Sequence, residues 1–267
     1  VIHTVTINDV PLSCFDAGEG QVLLFVHGFP LDYTMWSAQL DYFQRGYRVI
    51  APDLRGFGKS GGAGDLLTME QFADDLNSLL NVLEIDEPIT LCGLSMGGYI
   101  AWQFALKYTE RLARLILCDT KAAADSQEVQ MNREVVASQV LVEGTQFLVE
   151  GMIEKLFAAM TGQTHPEIIK QIRDIIKNSS PLAVAGASRG MGQRIDVQSH
   201  LTEIDIPALV LCGSEDAITP PEEMEKFSRK MPKAEFHTIP GAGHMAPLEK
   251  PKLVNNLIQE FLAITDV

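Results

Sequence analysis

The feature that most constrains this chain is an alternation of short apolar runs with stretches of helical periodicity. The runs are "VLLFVH" from Val22, "YRVIAPD" from Tyr47, "PITLCG" from Pro88, "RLILCD" from Arg114, "IPALVLCG" from Ile206 and "AEFHTIP" from Ala234. They are rich in Val, Ile and Leu and apolar on successive residues, the pattern of strands covered on both faces of a parallel sheet. Two earlier segments, "IHTVTI" and "LSCFDAG", alternate instead, as an antiparallel start to the sheet would. Together they predict a mostly parallel open sheet of about eight strands.

Between the runs, Met69, Phe72, Ala73, Leu76, Leu79, Leu80 and Leu83 form an apolar stripe at helical spacing. Leu253, Val254, Leu257, Ile258, Phe261 and Leu262 form another. After Ser95, small residues recur at Gly97, Ala101 and Ala105, giving a helix face able to lie close against a sheet. The fold class is therefore α/β, with helices on both faces of the sheet. The alternation stops between about Lys121 and His200, where three or four helices are expected, around Met131–Leu141, Thr145–Met160 and Pro166–Lys177. The predicted organisation is a core domain of residues 1–120 and 201–267 with a helical domain, 121–200, inserted in it. The middle inserted helix is apolar around most of its circumference, so it is expected to touch protein on two sides or to cover a pocket.

Composition narrows the function. A chain of 267 residues, 46% hydrophobic and 21% charged, buries a sizeable core without disulfide or metal staples. A formal net charge of −14 gives the wrong field for phosphate, so nucleic acid is not an expected partner. No apolar run approaches the roughly 18 residues of a membrane span, and "VIHTVTIND" reads as a strand rather than a signal peptide. Three of the four cysteines, Cys92, Cys118 and Cys212, close apolar runs and read as small core residues. Unpaired thiols fit a reducing cytoplasm, and no C-x-x-C metal spacing occurs. Neither cofactor nor metal is expected; monomer and dimer stay open.

The chemistry centres on Gly93-Leu94-Ser95-Met96-Gly97, a G-x-S-x-G pattern between a predicted buried strand and a predicted helix. A serine hydroxyl is a weak nucleophile that must be exposed, oriented and beside a base. A sharp strand-to-helix corner exposes and orients it, and the helix N-terminus favours a developing oxyanion. His244 is the candidate base, in the Gly/Pro-rich loop "PGAGHMAPLEKP" after the last predicted strand. That loop falls at the carboxyl edge of the strands, as Ser95 does. Asp216, in "LCGSEDAITPP", is the favoured acid to orient it, with Asp119 and Glu215 as alternatives. The order Ser95, Asp216, His244 is the one this architecture places together.

The backbone N–H groups of Phe29, in "HGFP", and of Met96 are the candidate oxyanion donors, each contributing about 3 kcal/mol. His27 is read as tying down its turn. Asp53 and Arg55, in "DLRGFGKS", are read as structural and paired with each other. This loop lacks the spacing of a phosphate loop.

The blocks "HGFP", "DLRGFGKS", "GLSMGG", "GSEDAITP" and "GAGHMAPLEKP" resemble those of the α/β-hydrolase family, in the family's order and over nearly the whole chain. The resemblance implies an α/β-hydrolase fold with 121–200 as its cap domain. "HGFPLDYTMW", "CGLSMGGYIAWQFALKY" and "LILCDTKAAADS" are similar to the branch of small carboxylesterases and 3-oxoadipate enol-lactonases. It implies a serine hydrolase of small-molecule carboxylic esters with an acyl-enzyme on Ser95, and the apolar, modest pocket expected here favours short acyl chains. Enol-lactone hydrolysis is the alternative. Ser95 argues against the dehalogenases and epoxide hydrolases of this fold, which use an aspartate nucleophile. Cofactor-free haloperoxidases and perhydrolases share "SMGG" but often carry Trp at the position of Phe29, which weakens that reading. A non-catalytic binding module is the least favoured alternative, because every triad member is present. Leu156, Met160, Ile218 and Met245 are the candidate pocket residues. Arg133, Lys155, Arg173, Arg189 and Arg194 are the inserted-segment cations from which a carboxylate-bearing substrate would need a partner.

Overall fold

A computed structural model describes residues 1–264. In chain order its elements are β1 (Ile2–Ile7), β2 (Val10–Ala17), β3 (Val22–Val26), α1 (Ser37–Phe43), β4 (Arg48–Pro52), α2 (Met69–Val82), β5 (Ile89–Leu94), α3 (Met96–Lys107), β6 (Leu112–Cys118), α4 (Gln127–Glu143), α5 (Leu148–Leu156), α6 (Thr161–Thr164), α7 (Pro166–Asn178), α8 (Pro181–Gly192), β7 (Ala208–Gly213), α9 (Pro221–Ser228), β8 (Ala234–Ile239), α10 (Ala246–Glu249) and α11 (Pro251–Ile264).

The strands form one eight-stranded sheet in the order β1-β2-β4-β3-β5-β6-β7-β8. β1 and β2 run antiparallel, as does β2 against β4, and the remaining pairs are parallel. The β1–β2 hairpin closes through Asn8 and Asp9, both at positive φ (45° and 63°), which suits the twist of a two-residue turn. Every residue of β5 and of β7 is buried, as the continuous apolar runs require. β8 departs from that expectation. It lies at the sheet edge beside β7 alone, and most of its residues are partly or fully exposed. No described helix is long and apolar enough to cross a membrane, and all four cysteines are free and buried.

Helix α2 buries Met69, Phe72, Ala73, Leu76, Leu79 and Leu80, and the Thr68 side chain caps it by accepting from the Gln71 N–H at 3.1 Å. In α11, Val254, Ile258, Phe261 and Leu262 are buried while Leu253 faces solvent. Helix α3 starts hard against the sheet. A Cβ on Gly97 would lie 2.3 Å from the Val26 carbonyl, so only glycine lets the two backbones meet there.

No strand lies between β6 and β7; that stretch holds the inserted helices α4 to α8. α8 packs against the loop that leads into α2. Its Gly186 carbonyl accepts from the Leu67 N–H at 3.1 Å, and a Cβ on Gly190 would lie 1.7 Å from the Leu67 carbonyl. The expected single helix over 145–160 is broken. α5 ends at Leu156, and Phe157 is extended. Tertiary hydrogen bonds claim that backbone instead: the Met245 N–H donates to the Leu156 carbonyl at 3.1 Å, and the Ala158 N–H donates to Glu249 Oε2 at 3.0 Å.

Candidate active site

Ser95 stands between β5 and α3 at φ 55°, ψ −112°. A non-glycine residue at positive φ is strained and persists where its surroundings over-determine it. Here they do. The Ser95 N–H donates to the Cys118 carbonyl at 3.0 Å, and its carbonyl accepts from the Gly98 and Tyr99 N–H groups at 2.9 and 3.1 Å. Thr120 Oγ1 donates to the same carbonyl at 2.8 Å. The backbone is thus pinned on all sides while the side chain is left partly exposed.

His244 follows β8 and Asp216 follows β7, so both arrive at the edge that carries Ser95. His244 Nδ1 lies 2.8 Å from Asp216 Oδ2, with both side chains almost wholly buried. Asp216 Oδ1 accepts from the Ile218 and Thr219 N–H groups at 2.8 and 3.0 Å, and Thr219 Oγ1 donates to Oδ2. Burial pushes the Asp216 carboxyl up, but His244 and the Thr219 donors outweigh it and hold the group below the usual carboxylate range. With Nδ1 committed to a carboxylate, Nε2 is the ring nitrogen left with its lone pair. Among the described residues Nε2 makes no hydrogen bond to Ser95 Oγ; such contacts are often long before substrate binds.

The alternative acids fall elsewhere. Glu215 Oε2 accepts from the Ala159 N–H at 3.4 Å. Asp119 is completely buried beside Asp216 and takes the Gly213 N–H on Oδ1 at 2.7 Å, but among the described residues makes no hydrogen bond to the histidine. Because α3 begins against Val26 and His27, the Gly28–Phe29 turn runs beside the serine corner. Among the described residues the Phe29 and Met96 N–H groups have no acceptor. For Met96 that follows from its place as the first residue of α3.

His27 holds that turn. Its ring lies 2.9 Å from the Gly28 carbonyl through Nδ1, and Nε2 accepts from the Leu54 N–H at 3.0 Å. Burial pushes its pKa down, keeping the ring neutral, as two such contacts demand. The expected Asp53–Arg55 pair does not form. Asp53 is occupied by the N–H groups of Tyr33 and Lys59, at 3.0 and 2.9 Å, whereas Arg55 reaches Asp75 on α2 with two bonds of 2.7 and 2.5 Å.

Of the candidate pocket residues, Leu156 and Ile218 line a cavity of about 280 Å³ with Phe147, Leu148 and Met152, and Lys155 stands at its rim. Met160 lies outside it, 57% exposed, because α5 ends before reaching it. Met245 is fully buried and serves as a strut through its N–H to Leu156. Sequence reasoning missed Thr120, Thr219 and Glu249. The last is buried with one carboxylate shared among three donors: Gly243 N–H on Oε1 at 2.8 Å, and Ala158 N–H and Thr161 Oγ1 on Oε2. It ties the histidine loop to the helical insertion. Thr219 was within reach of a sequence reading, since a threonine three residues after a loop aspartate suits local side-chain capping; nothing local signals Glu249.

A doubly wound sheet with a serine corner and a histidine–aspartate pair at its carboxyl edge defines a hydrolase architecture, and the chain belongs to the alpha/beta hydrolase fold family, whose model matches residues 21–251. Among solved structures it is similar to a thermophilic esterase from Thermogutta terrifontis, with 46% identity, both chains covered in full and a TM-score of 0.97. Among curated proteins it is 27% identical to 3-oxoadipate enol-lactonase 2 of Acinetobacter baylyi, over 96% of this chain and 94% of that protein. It is 30% identical to 2-hydroxy-6-oxo-6-phenylhexa-2,4-dienoate hydrolase of Burkholderia cepacia, over 97% of this chain and 95% of that protein.

Proposed function

We propose that the protein is a serine hydrolase of small carboxylic esters, with Ser95, His244 and Asp216 as its triad. The observation that carries the reading is a strained, partly exposed serine on the same sheet edge as a buried histidine whose Nδ1 is fixed by an ionised aspartate. His244 Nε2 takes the Ser95 proton as Oγ attacks the ester carbonyl. The Phe29 and Met96 N–H groups receive the oxyanion, and the imidazolium formed on His244 is stabilised by Asp216. His244 then protonates the departing alcohol and activates the water that releases the acid. In this reading the helical insertion acts as a cap, and the cavity at Leu156 and Ile218 takes a short apolar part of the substrate. The likeness to the Thermogutta terrifontis esterase supports it.

Charge favours a neutral ester over a carboxylate-bearing enol-lactone. Arg133 and Arg194 both pair with Asp125, Arg173 pairs with Glu150, and Arg189 pairs with Glu134. Among the described residues, Lys155 alone of the five candidate cations has no such partner. The test is kcat/KM for p-nitrophenyl butyrate against 3-oxoadipate enol-lactone, with Ser95→Ala as the blank for each. The ester is expected to win. A lactone preference of orders of magnitude would replace this reading with the lactonase one, and turnover equal to the blank on both would remove it.

A further inference from the structure

Two carboxyl groups are sealed together beneath the candidate site. Asp119 follows β6 at φ 45°, completely buried, and one oxygen of Asp119, one of Asp216 and the Cys212 sulfur lie within 4.8 Å of one another. The two acids are treated very unequally. Asp216 receives four donors: the Ile218 and Thr219 N–H groups, Thr219 Oγ1 and the His244 ring. Asp119 receives one, the Gly213 N–H, on Oδ1. Its Oδ2 is buried and has no donor. As a carboxylate it would leave a buried charged oxygen without a protein donor beside a second negative charge, the arrangement burial penalises most. As a carboxylic acid it gains the one thing it lacks, a hydrogen to give to Asp216.

We propose that Asp119 is a positioning residue that remains a neutral carboxylic acid and donates its Oδ2 hydrogen to Asp216. The pair then carries one proton and one charge, with the charge on the member that orients His244. This rests on the reading of Asp216 and His244 as orienting acid and base. Burial, the charge of Asp216 and the neighbouring Cys118 thiol all push Asp119 well above the usual carboxylate range, against the Gly213 N–H alone. The remaining groups facing the pair do not oppose this. Cys212 on β7 is itself pushed up by burial and donates to the Gly213 and Thr219 carbonyls, while Cys118 on β6 adjoins Cys92 on β5. Glu222, at the start of α9, adds only further negative charge near Cys212. A metal ion does not suit the trio, because it would have to displace His244 and Thr219 from Asp216 and deprotonate Cys212.

The hydrogen bond has a chemical purpose. It draws charge from Asp216, so the imidazolium of His244 is stabilised less and the ring stays an unprotonated base to lower pH. Three measurements test it. First, infrared spectra of the unsubstituted protein at pH 7 are expected to show a protonated carboxylic acid band that Asp119→Asn removes. This readout needs no turnover and so stands apart from the ester hypothesis. Second, a proton kept in the folded state and lost in the unfolded one makes the contribution of Asp119 to wild-type stability fall as pH rises above about 4. The Tm advantage of Asp119→Asn over wild type is therefore expected to grow from pH 4 to pH 8.

Third, in the pH profile of kcat/KM, Asp119→Asn keeps the donor and the neutral charge and leaves the acid limb in place. Asp119→Ala loses the donor, moves that limb to higher pH and lowers activity, which Asn rescues. If Asp119 is instead ionised, the acid band is missing from the unsubstituted protein. Asp119→Asn then moves the acid limb down by about one pH unit or more, the effect of removing a nearby negative charge that stabilises the imidazolium. Either finding overturns the proposal. Equal impairment of the Asn and Ala variants with an unmoved limb would also overturn it, reducing Asp119 to packing.

Discussion

Along the carboxyl edge of the sheet, buried carboxylates are held by backbone amides. Asp53 takes two N–H groups, Asp216 takes two and a hydroxyl, and Glu249 takes two and a hydroxyl. In the helical insertion the carboxylates at the surface are held by arginines, as in Glu134–Arg189 and Glu150–Arg173. An amide donor is fixed by the chain and cannot swing away, and its bond to an ion is unscreened when buried. An exposed arginine loses rotamer freedom to make its pair and contributes little. Positional accuracy is therefore concentrated at the sheet edge, and the insertion depends on it. Asp125 marks the transition: burial raises its pKa, but Arg194 and Arg133 overcome that and hold it below the usual range.

Substitutions of graded effect probe this contrast. The largest falls on the corner serine: Ser95→Ala is expected to lower kcat/KM by about 10⁴-fold or more while leaving Tm unchanged. An active Ser95→Ala protein would show that the edge is built for something other than nucleophilic attack. Next comes Glu249→Ala, which strips a charged acceptor from Gly243, Ala158 and Thr161 at once. A destabilisation of about 3 kcal/mol is expected in urea unfolding, with a raised KM as the insertion loosens from the histidine loop. An unchanged midpoint would show the two regions to be held together by apolar contacts instead.

Thr219→Val removes one hydroxyl from Asp216 and leaves both backbone donors. A loss of about tenfold in kcat, near 1.4 kcal/mol, is expected with little change in KM. The acid side of stability sharpens the same point. Because the Asp216 pKa is depressed in the folded state, its contribution is complete above about pH 4 and is lost as pH falls through the folded value. The smallest effect is expected from Glu150→Gln on the exposed face of α5, where neither Tm nor kcat/KM should move.

Sequence and structure agree where the information is local. The runs ending at Cys92, Cys118 and Cys212 are strands because continuous apolar side chains need cover on both faces. The G-x-S-x-G corner is where it was read because its glycines permit the close approach that α3 makes to β3. Topology then brings the Asp216 and His244 loops to one edge without further instruction. What was illegible depends on partners distant in the chain. Arg55 chose Asp75 because backbone amides had already claimed Asp53. α5 stopped at Leu156 because Met245 and Glu249, nearly a hundred residues on, compete for its backbone. Met160 was misplaced with it. β8 was read as covered on both faces, since sequence period does not report that a strand is last in its sheet.

The buried cysteines have a practical consequence. Cys14 is pushed up to about 12, chiefly by burial, and Cys118 and Cys212 are also raised, so none of these three presents a reactive thiolate while the sheet is closed. Cys14 lies in antiparallel β2, while Cys92, Cys118 and Cys212 lie in three adjacent central strands that lead to the site. A thiol-specific reagent must wait for each strand to become accessible. Its modification rate at each cysteine therefore times the opening of a particular strand, and the protein carries a set of intrinsic clocks for the sheet on which its chemistry is mounted.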